Sequence, residues 1–483
     1  MGLDLDANGL QEGNSNSAYL GLSTRNLPPI LYFLMVRILL SLLLGLGVII
    51  APAATADSCS SPSNGWVARE NSKVGSKQWN QGVPFRLSAD FSRRKSANRI
   101  EGYFNATSLR CGQAAMLTLI GAPKATATIY RTGYYQGIGA RQVGKFSISS
   151  GWNFKATSKY LPGIYLIKLS APQRLSSFVP ITISAPNSKS DLTLISSVLT
   201  WQSYNQWGGY SLYKGPDGKR ETRADSVSFL RPYDGDGSGQ YQYMEMPLVK
   251  RAEKLGLGIN YVTDIDLDKD PNLLQNTGSI LLGGHSEYWT TNMRDAVEAA
   301  VDRGVNLIVL GGNTAYSRID INGTEISNIK EWRTLGRPEI DLLGSQYLAL
   351  GFHRDMVIET QMWPFDVLAK DSVIKGVVGY EADSPITFQG PPVETIARSS
   401  IAPNEKTVPA MATYYTRPSG AGILNMATNG WVCAMENKCP WGHRFDRATQ
   451  LQITRVSDNV LRATSRGPLG KWRTAFTQNN APS

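Results

Sequence analysis

Three segments of the chain combine polar side chains with glycines or aromatic residues in patterns that suit chemistry. The most compact is 283–290, Gly-Gly-His-Ser-Glu-Tyr-Trp-Thr, which places His285 two residues before Glu287. A helix cap would explain Thr290 or Thr291 alone, but not a histidine and a carboxylate beside a double glycine. Histidine is scarce, with three in the chain. His285 and Glu287 are therefore candidates for metal binding or proton transfer.

The other two segments contribute phenols and an amide. Residues 200–213 hold three tyrosines, Tyr204 among them, and two tryptophans, although aromatic packing under a loop is the commoner use of such residues. Residues 311–316, Gly-Gly-Asn-Thr-Ala-Tyr, resemble the strand-to-helix nucleophile elbow of amidotransferase-like folds, with Asn313 at the central position. Asparagine is no nucleophile, but its amide can donate a hydrogen bond to a developing oxyanion.

The surrounding pattern predicts the elements that position these segments. Apolar runs without alternation are separated by segments of helical spacing, which is typical of a parallel sheet covered on both faces. The predicted fold is α/β, a flavodoxin-like (class I glutamine amidotransferase-like) parallel sheet domain over residues 192–470. Ligands bind such sheets beyond the carboxyl ends of the strands, where all three segments lie. The predicted strands are 192–199, 259–262, 279–282 and 306–310, and the predicted helices are 246–255 and 291–303.

Two regions precede this domain and a tail follows it. Residues 57–99 are rich in Ser, Asn, Gly and Lys without periodicity, which fits a flexible arm. Residues 100–187 contain short alternating segments bounded by Gly, Pro or Asn, and these predict a small β-sandwich domain. Residues 471–483 form the tail.

The first 56 residues have the features of a targeting segment. Arg37 is followed by an apolar run at 38–50 and by small residues ending at Ala56, which is typical of a secretory signal cleaved after Ala56. Met35 is a candidate true start. An uncleaved anchor beginning near Pro29 would place Arg37 inside the bilayer, which is costly. The mature protein is therefore expected to be secreted, periplasmic or held in the cell envelope.

Export changes the expectation for the four cysteines, because an oxidising compartment favours disulfides over thiol catalysis. Cys433 and Cys439 are close enough in sequence for a local pair. Cys59 is then left to pair with Cys111, which would tie the mature N-terminus to the sandwich.

Charge argues against a nucleic-acid partner. The net charge is +10, but the only dense basic run is at 93–95, and aromatic residues are not interleaved with basic stripes. We interpret the positive charge as solvated surface.

The order of the motifs resembles the N,N-dimethylformamidase large-subunit family, over the stretch from about residue 98 to the end. The matching segments run from the sandwich through the α/β domain. They are Tyr-Arg-x-Gly-x-Tyr-x-Gly at 130–137, Trp-Gln-x-Tyr-Asn-x-Trp-Gly-Gly-x-Ser-Leu-Tyr at 201–213, Arg-Pro-Tyr at 231–233, Tyr-Val-Thr-Asp at 261–264, Gly-His-x-Glu-Tyr-Trp at 284–289 and Gly-Asn-x-x-Tyr at 312–316.

The resemblance implies a metal centre. The family enzyme hydrolyses a small amide with a mononuclear iron (Fe³⁺) held by two tyrosines and one glutamate, beside a catalytic histidine and asparagine. On the matching motifs, Glu287 and Tyr204 are then metal ligands, and His285 and Asn313 are catalytic residues. Phenolate and carboxylate oxygens are hard ligands that suit a trivalent ion.

Two assignments are less direct. Tyr165, in a predicted strand of the sandwich, is our choice for the second tyrosine ligand, and Tyr210 and Tyr213 are alternatives. Glu381 is the candidate carboxylate that shuttles a proton to the departing amine, with Asp383 as a structural ion-pair alternative.

These features predict a secreted, metal-dependent amide hydrolase that activates the carbonyl and a water by Lewis-acid chemistry. The substrate is expected to be a small-molecule or envelope-derived amide. Family enzymes use a small partner subunit and assemble further, and a homo-oligomer is one form that this chain could take. Serine and zinc hydrolases are disfavoured because no Gly-x-Ser-x-Gly or His-Glu-x-x-His occurs. The alternative is a non-catalytic module that binds a cell-surface ligand or glycan.

Overall fold

The computed structural model describes residues 57–83, 98–350, 353–385, 391–400 and 408–475. All of them belong to one compact unit, 56–483. The expected signal segment and the basic run at 93–95 lie outside the described residues. Within the described ranges, no helix is both long and apolar enough to cross a membrane.

The first strands form two sheets around one apolar core. The small sheet contains the strands at 101–104, 114–120 and 152–155 in that order, and the larger one those at 108–110, 177–184, 163–170, 124–132 and 140–149. Leu117 of the small sheet and Ile167 of the larger sheet lie in the same buried cluster. The strands are β1 (Glu101–Phe104), β2 (Ser108–Arg110), β3 (Ala114–Ile120), β4 (Lys124–Thr132), β5 (Ala140–Ser149), β6 (Trp152–Lys155), β7 (Gly163–Ser170) and β8 (Ser177–Ser184).

The described part of the expected arm is attached to this sandwich. It contains a short helix whose Trp66 and Val67 side chains are buried. Cys59 is disulfide-bonded to Cys111. The second disulfide joins Cys433 to Cys439, so both predicted pairings are confirmed.

The remaining strands follow residue 190. They are β9 (Leu192–Ser196), β10 (Ser226–Ser228), β11 (Ile259–Thr263), β12 (Ser279–Leu282), β13 (Tyr288–Trp289), β14 (Asn306–Val309), β15 (Ser317–Asn322), β16 (Glu325–Glu331), β17 (Gln346–Leu350), β18 (Arg354–Ile358), β19 (Val373–Val378), β20 (Glu381–Ser384), β21 (Glu394–Ser399), β22 (Met411–Thr416) and β23 (Gly422–Asn425).

Helices cover these strands and join some of them. The α-helices are α1 (Trp66–Asn71), α2 (Val198–Tyr204), α3 (Tyr241–Met244), α4 (Met246–Lys254), α5 (Asp264–Lys269), α6 (Thr291–Asp302), α7 (Ile340–Leu343), α8 (Gly430–Ala434), α9 (Arg447–Ala463) and α10 (Leu469–Trp472). Short 3₁₀ helices lie at Tyr135–Gly137, Trp207–Gly209, Pro271–Leu274, Trp332–Leu335 and Thr464–Arg466.

The predicted flavodoxin-like parallel sheet is wrong. The large sheet has the order β11-β9-β12-β14-β23-β22-β21-β18-β19. Neighbours from β11 to β23 are parallel, but β22, β21, β18 and β19 pair antiparallel. The physical reason is connectivity: a parallel pair needs a long crossover, usually a helix, and no α-helix lies between α7 and α8 in the described ranges. The sheet is therefore mixed, and among the described residues strands hold 33% and helices 23%.

The parallel strands lack alternation of apolar and polar residues because both faces of the sheet are covered there. Successive side chains of a strand point to opposite faces. Leu194 packs in the cluster that contains residues of α4 and α9. The next residue, Ile195, packs in the cluster that contains residues of α6.

Two smaller sheets accompany the large one, and two strands of the first small sheet directly follow parallel strands in the chain. One has the order β10-β16-β15-β13 and the other pairs β17 with β20. β13 follows β12, and β15 follows β14. The turn at 311–316 therefore leads into a strand and not into the predicted helix.

A buried carboxyl group precedes α4 and supplies a first prediction. Burial raises the pKa of Glu245 from its ordinary value of 4.5 to about 8. Because the folded pKa is the higher one, this group's stabilising contribution is complete below about pH 4.5 and is lost as pH rises through about 8. Glu245→Gln should therefore stabilise the protein by at least about 2 kcal/mol more at pH 9 than at pH 4.5. Urea unfolding of both proteins at the two pH values would measure this difference. An equal change in the free energy of unfolding at pH 4.5 and at pH 9 would contradict the prediction.

Candidate active site

The site lies beyond the carboxyl ends of β12 and β14, where two glycine pairs let the chain segments touch. A Cβ atom added to Gly311 would lie 2.6 Å from the Gly283 carbonyl oxygen and 2.7 Å from that of Gly284. Such distances exclude any larger residue without a backbone shift. His285 and Gly312 form an isolated parallel bridge at this contact, which carries His285 and Asn313 to the same place.

Three titratable side chains converge there. His285 Nε2 lies 3.0 Å from Glu381 Oε2 and 3.4 Å from Glu287 Oε2. The Tyr204 hydroxyl, at the end of α2, donates a hydrogen bond to Glu287 Oε2. Potential ligand atoms of His285, Glu287 and Glu381 lie within 4.8 Å of one another, and all three residues are buried. In the described residues no other such group of three histidine, cysteine or acidic side chains occurs.

Neighbouring polar groups fix the histidine and the first carboxylate. Gln240 Oε1 lies 3.1 Å from His285 Nδ1, so the other ring nitrogen faces the carboxylates. Thr200 Oγ1 accepts from the backbone N–H groups of Glu287 and Tyr288, at 3.0 and 3.2 Å. The loop that carries Glu287 is thereby attached to α2.

The second carboxylate is held by two asparagine amides. Asn313 Nδ2 donates to Glu381 Oε1 at 3.1 Å, and Asn429 Nδ2 donates to Glu381 Oε2 at 2.6 Å. Asn429 Oδ1 in turn accepts from the Gly312 N–H at 2.9 Å. Glu381 is therefore oriented through both of its oxygens.

Asp383 has a different role from Glu381. Its Oδ1 accepts from the backbone N–H of Asn313 at 2.7 Å, and its Oδ2 accepts from Asn425 Nδ2 at 3.2 Å. Asn313 has a φ of 53°, a left-handed conformation that asparagine tolerates better than most residues. Asp383 thus supports the backbone that presents Asn313, and Glu381 is the carboxylate beside His285.

The electrostatics of the site reflect two buried carboxylates in a small space. Burial lowers the pKa of His285, but Glu381 and Glu287 outweigh it and raise that pKa to about 10. Burial and the neighbouring Glu287 hold the pKa of Tyr204 well above its usual range. Burial also raises the pKa of Glu287. The two buried carboxylates therefore favour a positive charge between them, whether on His285 or on a bound cation.

One buried polar atom at the centre, Asn313 Oδ1, makes no hydrogen bond to the described residues. His285 Nε2 differs from it, because it contacts the carboxylates of Glu381 and Glu287. A buried polar atom without a partner costs about 1–3 kcal/mol. Such atoms are common where a ligand completes a site.

The structure does not bring Tyr165 to this cluster. Side chains alternate along β7, so Ile164 and Leu166 face the cluster shared with the large sheet, and Tyr165 faces the sandwich core. Its hydroxyl donates to the Leu161 carbonyl oxygen at 2.6 Å. Tyr165 is therefore in a structural position, and the assignment as a metal ligand has no geometric support.

The two alternative tyrosines differ in position. Tyr210 is 48% exposed. The Tyr213 ring centroid lies 5.1 Å from that of Tyr204. Of the two, Tyr213 is the tyrosine that the structure places beside Tyr204.

Three supporting residues were not predicted from the sequence. Asn429 follows β23, so the rule that ligands bind beyond the carboxyl ends of parallel strands could have found it. Thr200 lies in a segment that was singled out for its aromatic residues. Gln240 lies in an irregular segment whose sequence carries no comparable signal.

Comparisons with known proteins assign the family. A sequence profile described as N,N-dimethylformamidase beta subunit-like, C-terminal, matches residues 126–441, more than half of the chain. A crystal structure of a ThuA-like protein from Bacteroides uniformis is similar at 16% identity, covering 46% of this chain and 87% of that chain, with a TM-score of 0.26 that supports no argument. No protein of curated function matches in sequence. The chain belongs to the N,N-dimethylformamidase beta subunit-like family, for which a hydrolase-like function is indicated.

Proposed function

We propose that this protein is an iron-dependent hydrolase that cleaves the carbon–nitrogen bond of an amide. The observation that carries the proposal is the buried convergence of His285, Glu287 and Glu381, with Tyr204 bonded to Glu287. A buried polar atom without a partner among the described residues, here Asn313 Oδ1, is expected where a ligand completes a site. Membership of a family named for an amidase supports the reaction class.

The side chains fit a hard metal ion. Tyr204 and Glu287 would hold it, and of the two alternative tyrosines Tyr213 lies beside Tyr204. Oxygen donors of this kind suit Fe³⁺. When bound, the ion would supply Lewis-acid chemistry, polarising a carbonyl and lowering the pKa of water.

The remaining residues suit binding and proton transfer. Asn313 Nδ2 uses one hydrogen for Glu381, and its second is available to the oxygen of a substrate carbonyl as charge develops there. His285 and Glu381 share a contact of 3.0 Å. This pair can accept a proton from the attacking water and return it to the departing amine.

Secretion and assembly also belong to the proposal. Two disulfides in one chain are typical of an oxidising compartment, which supports action outside the cytoplasm on a small or envelope-derived amide. The family is named for a beta subunit. We therefore expect the chain to form oligomers, alone or with a smaller subunit, which size-exclusion chromatography with light scattering would detect.

Metal content and colour test the proposal most directly. Residues 57–483, purified without chelator, should bind iron stoichiometrically, show a visible phenolate-to-metal absorption band and hydrolyse simple amides such as formamide. Ferric phenolates absorb visible light, whereas a metal-free binding module would be colourless. Absence of metal after reconstitution with iron would contradict the proposal and favour the binding module.

Removing the carboxylate ligand should separate metal binding from folding. Glu287→Gln keeps the shape of the side chain but removes its charge, so we expect loss of iron and colour with an unchanged circular dichroism spectrum. The exposed Glu325, on β16, provides the matched control, because Glu325→Gln changes the same charge on the surface. Retention of full metal content in Glu287→Gln would remove Glu287 from the ligand set.

A further inference from the structure

A row of stacked aromatic rings begins next to the proposed reaction centre. Tyr380 immediately precedes Glu381 in the chain and is 42% exposed. Its ring stacks on that of Trp441, with centroids 5.0 Å apart and planes within 6°. The Trp441 side chain is also partly exposed.

The row continues away from the centre through two histidines. The His353 ring lies 6.3 Å from Trp441 and 3.9 Å from His443, and the two imidazoles are nearly parallel at 7°. The Cys433–Cys439 disulfide fixes the chain two residues before Trp441. The outer rings therefore hold Trp441 in place beside Tyr380.

The inner end of the row is connected to the chemistry. The Tyr213 ring centroid is 5.1 Å from that of the proposed ligand Tyr204. Tyr380 is bonded in the chain directly to Glu381, whose Oε2 lies 3.0 Å from His285 Nε2. The aromatic surface and the carboxylates therefore adjoin each other.

Partly exposed aromatic rings beside a polar centre are the usual way in which a site binds the apolar part of a small molecule. We propose that the substrate is an amide that carries a planar aromatic ring, which packs on the Tyr380 and Trp441 pair while the amide group lies between His285, Glu287 and Glu381. This inference rests on the proposed amide hydrolysis. Ring stacking and edge contacts of this kind favour flat apolar groups.

An amide that carries a sugar ring is the alternative ligand. The side chains of the row favour an amide that carries an aromatic ring. A sugar requires hydrogen-bonding groups at the rim of its ring, because its hydroxyls must be satisfied on binding. The rings of Tyr380, Trp441, His353 and His443 stack through their faces, and each ring carries only one or two hydrogen-bonding atoms.

The test compares benzamide with acetamide, which share the reacting group and differ by the ring. For the iron-loaded protein, we expect kcat/KM for benzamide to exceed that for acetamide by about tenfold, with the difference mainly in KM. In Tyr380→Ala and in Trp441→Ala this ratio should fall to about one, because the stacking surface is lost. Tyr380→Phe should restore the ratio, since it keeps the ring.

An exposed aromatic pair elsewhere provides the control. Phe146 is 38% exposed and lies 5.7 Å from Trp152 in the sandwich, so Phe146→Ala should leave the ratio unchanged. A ratio near one in the unmodified protein, or one that Tyr380→Ala does not alter, would overturn the inference. A preference for a sugar amide over benzamide would overturn it as well.

Direct binding separates this inference from the proposed function. If neither amide is hydrolysed, the proposed hydrolysis fails. The calorimetric Kd values of the two amides would still show whether the aromatic ring contributes to binding. Tighter binding of benzamide that is lost in Trp441→Ala would support ring recognition. Equal Kd values would overturn it.

Discussion

Replacing Glu381 by glutamine should lower kcat for amide hydrolysis by about 10²–10⁴-fold, the usual contribution of a positioned acid–base group. Glutamine has the same shape, and its one oxygen can accept the hydrogen bond from Asn313 or from Asn429, but it cannot take or return a proton. Glu381 Oε2 lies 3.0 Å from His285 Nε2, so the change removes the proton-transfer pair while leaving Tyr204 and Glu287 in place.

The metal content of the same variant decides between two roles for Glu381. A proton-transfer residue predicts that Glu381→Gln keeps its iron and visible band, whereas Glu287→Gln loses both. Loss of iron from Glu381→Gln would instead make Glu381 a ligand, because its carboxylate belongs to the same buried group. Unchanged kcat with unchanged iron would remove Glu381 from the mechanism altogether.

The sequence predicted which polar residues lie together better than it predicted the fold. Strands at 279–282 and 306–309 were predicted within a residue of their observed ends, because apolar runs covered on both faces are distinctive. The polar residues that follow them then had to lie at one edge of the sheet. His285, Glu287 and Asn313 are brought together for that reason, and Glu381 joins them from β20.

The errors share one cause, which is that pairing between distant strands cannot be seen in local patterns. The local sequence of a strand does not show whether it pairs parallel or antiparallel. For β18, β19, β21 and β22 only the missing crossover helices distinguish the two arrangements. The prediction of Tyr165 as a metal ligand failed for a similar reason, because the local pattern does not show which face of the sheet a side chain occupies. A shift of one position along β7 would have turned its side chain towards the other face.

The family motif at 130–137 has a structural role that the sequence did not indicate. Arg131 on β4 forms a two-pronged ion pair with Glu253 on α4, at 2.6 Å to Oε1 and 3.1 Å to Oε2. The two side chains are 1% and 0% exposed. Asn71 of α1 and Tyr261 of β11 also donate to the Glu253 carboxylate. The pair therefore joins the sandwich, the N-terminal helix and the large sheet.

Arg131→Met should lower the free energy of unfolding by about 3–5 kcal/mol, the cost of leaving one partner of a buried ion pair uncompensated. Methionine keeps much of the apolar stem, so the loss reports on charge more than on volume. Urea unfolding followed by circular dichroism at pH 7 would measure it. A loss below about 1 kcal/mol would mean that water reaches Glu253, because surface ion pairs contribute no more than that.

The double variant Arg131→Met with Glu253→Gln distinguishes an unpaired charge from lost packing. If the cost arises from the isolated Glu253 carboxylate, its neutralisation should recover at least about 1 kcal/mol, as expected for groups that interact directly. The recovery should be incomplete, because Asn71 and Tyr261 both donate to Glu253, and a glutamine can accept from one of them while its amine opposes the other. No recovery at all would assign the loss to the packing of β4 against α4, and the ion pair would then serve to align the two domains more than to stabilise them.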